Sequence, residues 1–152
     1  MIQKENLDVR AVTLGLDLLD CRGASVHETC RRIQAKIRRF GAGLVPACHD
    51  LAEKYGVPVI NKRVAITPIA HVCAGFDRAG FVAVAHALND VAAEIGIDII
   101  GGFSANVESG LTPAGRALIA ALPIALAETQ KVCASINVGS TRYGINMDAI
   151  AL

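Results

Sequence analysis

Four short runs of β-branched and small apolar residues, at positions 9–16, 57–66, 97–100 and 132–138, alternate with longer stretches in which apolar residues recur every three or four positions. The two periods belong to different structures. A short continuous apolar run suits a strand buried on both faces of a parallel sheet, and a three-four repeat is a helix with one apolar stripe. Strand, helix, strand, helix at this spacing predicts an α/β fold of parallel strands joined by right-handed crossovers. The length, 152 residues, is that of one ordinary domain able to bury a core without metal or disulfide staples, so a single domain over 1–152 is expected.

Composition narrows the reading. The chain is 53% hydrophobic but only 4% aromatic, so Ala, Val, Ile and Leu must fill the interior, which argues against aromatic stacking platforms. With 15 basic and 14 acidic residues, a net charge of +1, there is no global field to draw in nucleic acid or an anionic membrane surface. The cysteines, at 21, 30, 48, 73 and 133, are odd in number, widely spaced and without a C-x-x-C, as expected of reduced thiols. The first ten residues include Gln3, Lys4, Glu5, Asp8 and Arg10 without an apolar stretch, unlike a signal peptide. No apolar run reaches the roughly 18 residues of a membrane span. A cytoplasmic protein is expected.

The first strand is read at Val9–Leu16. Ser25 and Glu28 form a capping box before a helix whose stripe is Val26, Cys30, Ile33, Ile37 and Phe40, with Gly41 as its stop. A second helix covers Leu44–Tyr55 and is capped by Gly56. A second strand region follows at Val57–Ile66, with Pro58 tolerable only at its start. Residues 68–76 show no clear period. A helix over Phe81–Ile95 ends at Gly96, and a short strand, Ile97–Ile100, runs into Gly101 and Gly102. Pro123 should divide or kink a helical stretch at Leu118–Glu128. Val132–Val138 is the last strand, and Ile145–Leu152 reads as the first turns of a helix.

Ligands of parallel α/β folds bind beyond the carboxyl ends of the strands, where loop amides and helix N-termini converge. The residues following each strand are therefore the candidates: Asp17, Asp20 and Cys21; Asn61, Lys62 and Arg63; Gly101, Gly102 and Ser104; and Asn137, Gly139, Ser140 and Thr141. The run Asn137–Thr141 precedes a helical segment and could hold an anion through amides and hydroxyls, or serve simply as a turn and N-cap. The Gly101–Ser104 run is neither a dinucleotide fingerprint nor a Walker loop, and its glycines also suit a plain tight bend. Lys62 and Arg63 are adjacent and so point to opposite faces. One facing the interior would need an anionic partner, Asp17, Asp20, Glu108 or a substrate, whereas at a strand end both reach solvent. Asp17 and Cys21 are the candidate reactive groups. Cys30, Cys48 and Cys133 read as small buried hydrophobes. Cys48-His49 and His71-x-Cys73 do not define a tetrahedral metal site, and none is expected. His86 and Asp90 lie on the polar side of their helix, and the run Arg31, Arg32, Lys36, Arg38 and Arg39 is a solvated face.

Four segments, LGLDLLDC at 14–21, INKRVAITPI at 60–69, IGGFSA at 100–105 and KVCASINVGSTRYGINM at 131–147, together resemble the uncharacterised "PFL family" proteins, or domain of unknown function 711, from Leu7 onward. The resemblance implies a fold similar to the α/β barrel of pyruvate formate-lyase-like enzymes, with no established activity. It also implies longer chains, of which this one corresponds to the N-terminal part. The chain has no R-V-x-G-Y glycyl-radical motif, so radical chemistry is not carried over, and a few strands cannot close a barrel.

These readings lead to an α/β barrel-type protein whose strand ends bind a small anionic metabolite, with Lys62 or Arg63 as the anion clamp. No residue pattern specifies a cofactor or settles whether the chain is an enzyme, and the alternative is a non-catalytic regulatory or structural partner. Unpaired sheet edges invite a homo-oligomer or association with the missing C-terminal portion. Asp17, Lys62, Ser104 and Asn137 are expected on one rim.

Overall fold

The computed structural model describes residues 8–152; the polar residues Gln3, Lys4 and Glu5 and the start of the resemblance at Leu7 lie outside it. Four strands, β1 (Val9–Leu16), β2 (Val59–Ile66), β3 (Ile99–Asn106) and β4 (Val132–Asn137), form one sheet in the order β1-β2-β3-β4, and every neighbouring pair is parallel. The register pairs Leu14 with Val64, Val64 with Ile100, Ile100 with Val132, and Ala105 with Ile136. Residues paired across a parallel ladder share a face, so these form one apolar face. Against it lie the buried side chains of the helices: Ile33 and Ile37 of α1 (Val26–Gly41), Val72 of α3 (Ile69–Val72), Phe81, Leu88 and Val91 of α4 (Arg78–Glu94), and Leu118 and Ala121 of α5 (Pro113–Glu128), with the half-buried Leu44 and Val45 of α2 (Leu44–Tyr55) packed against this core. Phe81 and Phe103 meet edge to face at 6.5 Å and 83°. Truncating a fully buried ring of this kind costs about 3–5 kcal/mol.

The local signals for helix starts are used almost as written. Ser25 Oγ accepts from the Glu28 amide at 3.1 Å, while the Glu28 carboxylate accepts from Ala24 N at 2.9 Å, one residue earlier than in the standard capping box. Asp77 caps α4 through Gly80 N, so this helix begins three residues before the expected Phe81. Thr112 caps α5, with Pro113 in the first turn, where a missing amide costs nothing. Gly56, at φ 66°, closes α2 at the expected residue. Phe40, Leu51 and Tyr55 are exposed, so the stripes of α1 and α2 are wider than the surface they bury.

Three expectations are corrected. Pro123 does not split its helix: α5 runs from Pro113 to Glu128, and Leu118, Ala121 and Ala125 are fully buried on both sides of an exposed proline. Packing of that face outweighs the local cost of roughly 3 kcal/mol. The third strand is not the expected Ile97–Ile100 but begins at Ile99 and does not end at Ile100. It runs through Gly101 and Gly102 to Asn106, with a register shift between Gly101 and Phe103. Gly102 has φ 109°, and a Cβ there would stand 2.3 Å from the Ile66 carbonyl oxygen, so the bulge requires glycine. The segment after β4 is not a helix start. Gly139–Ser140 (β5) pairs antiparallel with Gly144–Ile145 (β6), and only then does the short α6 (Met147–Ile150) begin, capped by Asn146.

Candidate functional site

The strand residues of opposite parity share the other face of the sheet. Its rows are Ala11 with Asn61; Thr13 with Arg63 and Ile99; Gly15 with Ala65, Gly101 and Cys133; then Ser104 with Ser135; and Asn106 with Asn137. Apart from Ile99, the residues of these rows are polar or carry small side chains or none. Ala11, Thr13, Gly15, Ala65, Cys133, Ser135 and Asn137 are exposed, although each belongs to a strand whose other face is core. Sequential strand order explains the asymmetry: each crossover moves one strand further in the same direction, so the crossover helices gather on one side.

Arg63 is the cation of this face. Its Nε is buried and makes no hydrogen bond among the described residues. Its row lies about 6.6 Å below the Gly15–Ala65–Gly101 row, measured along the strands. Neither Gly15 nor Gly101 has a positive φ, and a Cβ built on either meets nothing within 4 Å. The packing of this chain therefore gives no reason for glycine at those two positions, and of the four residues in that row only Ala65 and Cys133 carry side chains. Above it, Ser135 supplies an exposed hydroxyl and Asn106 and Asn137 carboxamides, while Ser104 is buried and donates its hydroxyl to Gly102 O at 3.3 Å.

Lys62 goes the other way. It points to the helix side, pairs with Asp98 at 3.1 Å, and donates its own amide to the same carboxylate at 2.7 Å. The partner is therefore Asp98 and not Asp17, Asp20 or Glu108, because Asp98 lies directly before β3 beside Lys62. Burial pushes the Asp98 carboxyl up, but the amide and ammonium of Lys62 outweigh it and hold the group below the usual carboxylate range. Lys62 is thus not on the rim expected for it: it pairs in register with Val12, well below the carboxyl ends and on the opposite face.

Asp17, just past β1, accepts from Leu19 N at 3.0 Å and from the Thr67 hydroxyl at 2.7 Å, and Thr67 in turn accepts from Leu18 N. Mainly the Leu19 amide, then the Thr67 hydroxyl, lower its pKa. Its contacts tie the ends of β1 and β2 together. Cys21 is buried, and burial followed by the nearby Asp20 carboxylate pushes its thiol up to about 11, which opposes thiolate chemistry. Asp20 is engaged by Lys36 at 2.5 Å. Asn61 donates from its side chain to Arg10 O at 3.0 Å. Gly139, Ser140 and Thr141 lie in or next to the β5–β6 hairpin, where Ser140 Oγ accepts from Tyr143 N. They form no helix N-terminus: the helix after them begins only at Met147. Cys48 is buried, but Cys133 is exposed on the open face and is not the core thiol expected. His86 bonds to Glu128 at 2.9 Å. Among the described residues no three His, Cys, Asp or Glu side chains converge as a metal site would need, and no helix is long and apolar enough to cross a membrane.

The sequence reading missed Thr13, Asn106 and Ser135. The signal for the last was present, since polar Cys133, Ser135 and Asn137 alternate with apolar Val132, Ala134 and Ile136, the mark of a strand with one uncovered face.

Comparison with known proteins places these features in context. A family profile described as "Uncharacterised ACR (DUF711)" matches residues 1–152. The chain is 52% identical to a "UPF0210 protein" of Desulfovibrio desulfuricans and 53% identical to one of Syntrophobacter fumaroxidans, each over 152 residues, covering 100% of this chain and 33% of the relative. A "UPF0210 protein" of Carboxydothermus hydrogenoformans is 49% identical over 150 residues, covering 99% of this chain and 33% of that protein. The chain thus spans about one third of the length of these relatives.

Proposed function

We propose that this chain, which belongs to the uncharacterised DUF711 family, binds a small anionic metabolite on the open face of its sheet, with Arg63 as the anchoring cation. One observation carries the reading: a guanidinium with a buried Nε and no hydrogen bond to it, on the face that helices leave uncovered. A guanidinium cannot lose its charge near neutral pH, and its fork of donors matches the two oxygens of a carboxylate or phosphate. The Gly15–Ala65–Gly101 row leaves room for the body of such a ligand, and Ser135, Asn106 and Asn137 offer it hydrogen bonds nearer the strand ends. In the same reading the sheet is one arc of a barrel resembling that of pyruvate formate-lyase-like enzymes, with the open face turned inward. Catalysis is not part of the proposal. Cys21 is buried and protonated, and Asp17 is engaged by Leu19 and Thr67.

The adjacent pair Lys62 and Arg63 provides the test. Thermal unfolding is followed with acetate, citrate and phosphate as probes, because a ligand that binds only the folded state raises the midpoint with its concentration. Lys62→Ala should lower the midpoint without ligand, by breaking the pair to Asp98, and keep the ligand-induced rise. Arg63→Gln should leave the ligand-free midpoint nearly unchanged and abolish the rise. The absence of any rise in the unaltered chain, or a rise that survives Arg63→Gln, would refute the proposal and favour the structural-partner role.

A further inference from the structure

We infer that the outer edge of β4, with the apolar surface of the segment that follows it, is the seat for the part of the family's polypeptide that this chain does not span. The inference is independent of the ligand reading and rests on three observations.

The first is the edge itself. Among the described residues β4 pairs only with β3, so its other side presents a row of unpaired amides and carbonyls. Natural edge strands are blunted by Lys, by Pro or by a bulge, since a bare edge invites another strand. The six residues of β4, VCASIN, contain no charge and no proline. The opposite edge strand, β1, carries Arg10.

The second is the surface beyond it. Tyr143, Ile145, Met147, Ile150 and Leu152 are each more than half exposed, five large apolar side chains within ten residues. This segment is not a loose tail. Asn146 donates its amide to Val138 O at 2.8 Å and its side chain to Val107 O at 2.6 Å, and Ala149 is buried in the core. A fixed apolar surface of this kind is a contact surface.

The third decides the occupant. The relatives match this chain along its full length, yet the matched region is only 33% of theirs, so two thirds of their polypeptide must pack somewhere. A strand from that portion would satisfy the amides of β4, and its neighbouring apolar residues would cover Ile145 and Met147.

The test co-expresses the 152-residue chain with the remaining two thirds of the Desulfovibrio desulfuricans relative and measures the mass of the purified species by light scattering. A one-to-one complex is expected, in which the amides of 132–137 exchange hydrogen far more slowly than in the chain alone. Ile145→Lys with Met147→Lys should abolish the complex. Leu51→Lys, on the exposed side of α2, should leave it intact. Both sets replace exposed side chains, and an unchanged unfolding midpoint of each free variant verifies that the fold survives. No complex, a complex indifferent to the two lysines, or self-association of the 152-residue chain through the same residues would overturn the inference.

Discussion

Replacing Gly101 and Gly102 by alanine, one at a time, puts two neighbouring residues under opposite predictions. Gly102 holds φ 109° at the bulge, and its added Cβ would lie 2.3 Å from Ile66 O and 2.7 Å from Ile66 Cγ1. The conformation alone costs an L-residue about 1–2 kcal/mol, and prising β2 from β3 to admit the methyl adds about 1–3 kcal/mol. A loss of about 3 kcal/mol in a domain of this size lowers the unfolding midpoint by about 6–12 °C. At Gly101 the added methyl meets nothing within 4 Å, and φ is ordinary. Alanine there restricts the unfolded chain and should stabilise by about 0.5–1 kcal/mol, raising the midpoint by about 1–4 °C. Calorimetry of both variants, with the anion titration repeated on Gly101→Ala, separates the roles. The methyl at 101 intrudes on the space above Arg63, so binding should weaken in a protein that has become more stable. If Gly101→Ala loses as much stability as Gly102→Ala, the face is not open and the reasoning fails.

Two further outcomes follow from the titrating groups. Cys133 is exposed, whereas burial pushes Cys21 up to about 11 and Cys73 to about 12; iodoacetamide at pH 8 should therefore alkylate Cys133 first in the folded chain and leave Cys21 and Cys73 untouched until unfolding, as peptide mass spectrometry will show. Alkylation of Cys21 at the rate of Cys133 would contradict its burial. Asp17, Asp20, Glu28, Glu94 and Asp98 all have folded pKa values below the ordinary carboxylate value, so each favours the fold above about pH 4 and loses that contribution as pH falls through its folded value. Denaturant midpoints should stay level from about pH 5 to 7 and drop below about pH 4, and Asp98→Asn should flatten the drop. A midpoint that rises on acidification would have the wrong sign.

The bounds of β1 and α2 and the start of β4 were legible because each is set by a local device: a β-branched run, the Gly56 cap, and the onset of an apolar stretch; β4 ends at Asn137, one residue before the expected Val138. Parallel pairing was also legible, from the alternation of strand and helix. Three features were not. Gly101-Gly102 reads as a bend, because only the neighbouring carbonyl of Ile66, supplied by β2, shows that one of the two glycines holds a bulge inside a strand. Pro123 reads as a break, because the burial of Leu118 and Ala125 around it is tertiary. Lys62 and Arg63 were separable into two faces by parity, but which of them faced the helices depended on Asp98, 36 residues away. The candidate site was accordingly half visible. Arg63, Gly101, Ser104 and Asn137 were named as ligand-side residues, yet the face they share emerges only from the register of four strands.

The most direct measurement is the Nε–Hε resonance of Arg63 in selectively labelled protein, titrated with acetate and with phosphate. A saturable shift of that resonance is expected, with the Lys62 signals unmoved. An Arg63 resonance that stays in place as anion is added, while the protein remains folded, would contradict the claim that the uncovered face of the sheet is an anion seat.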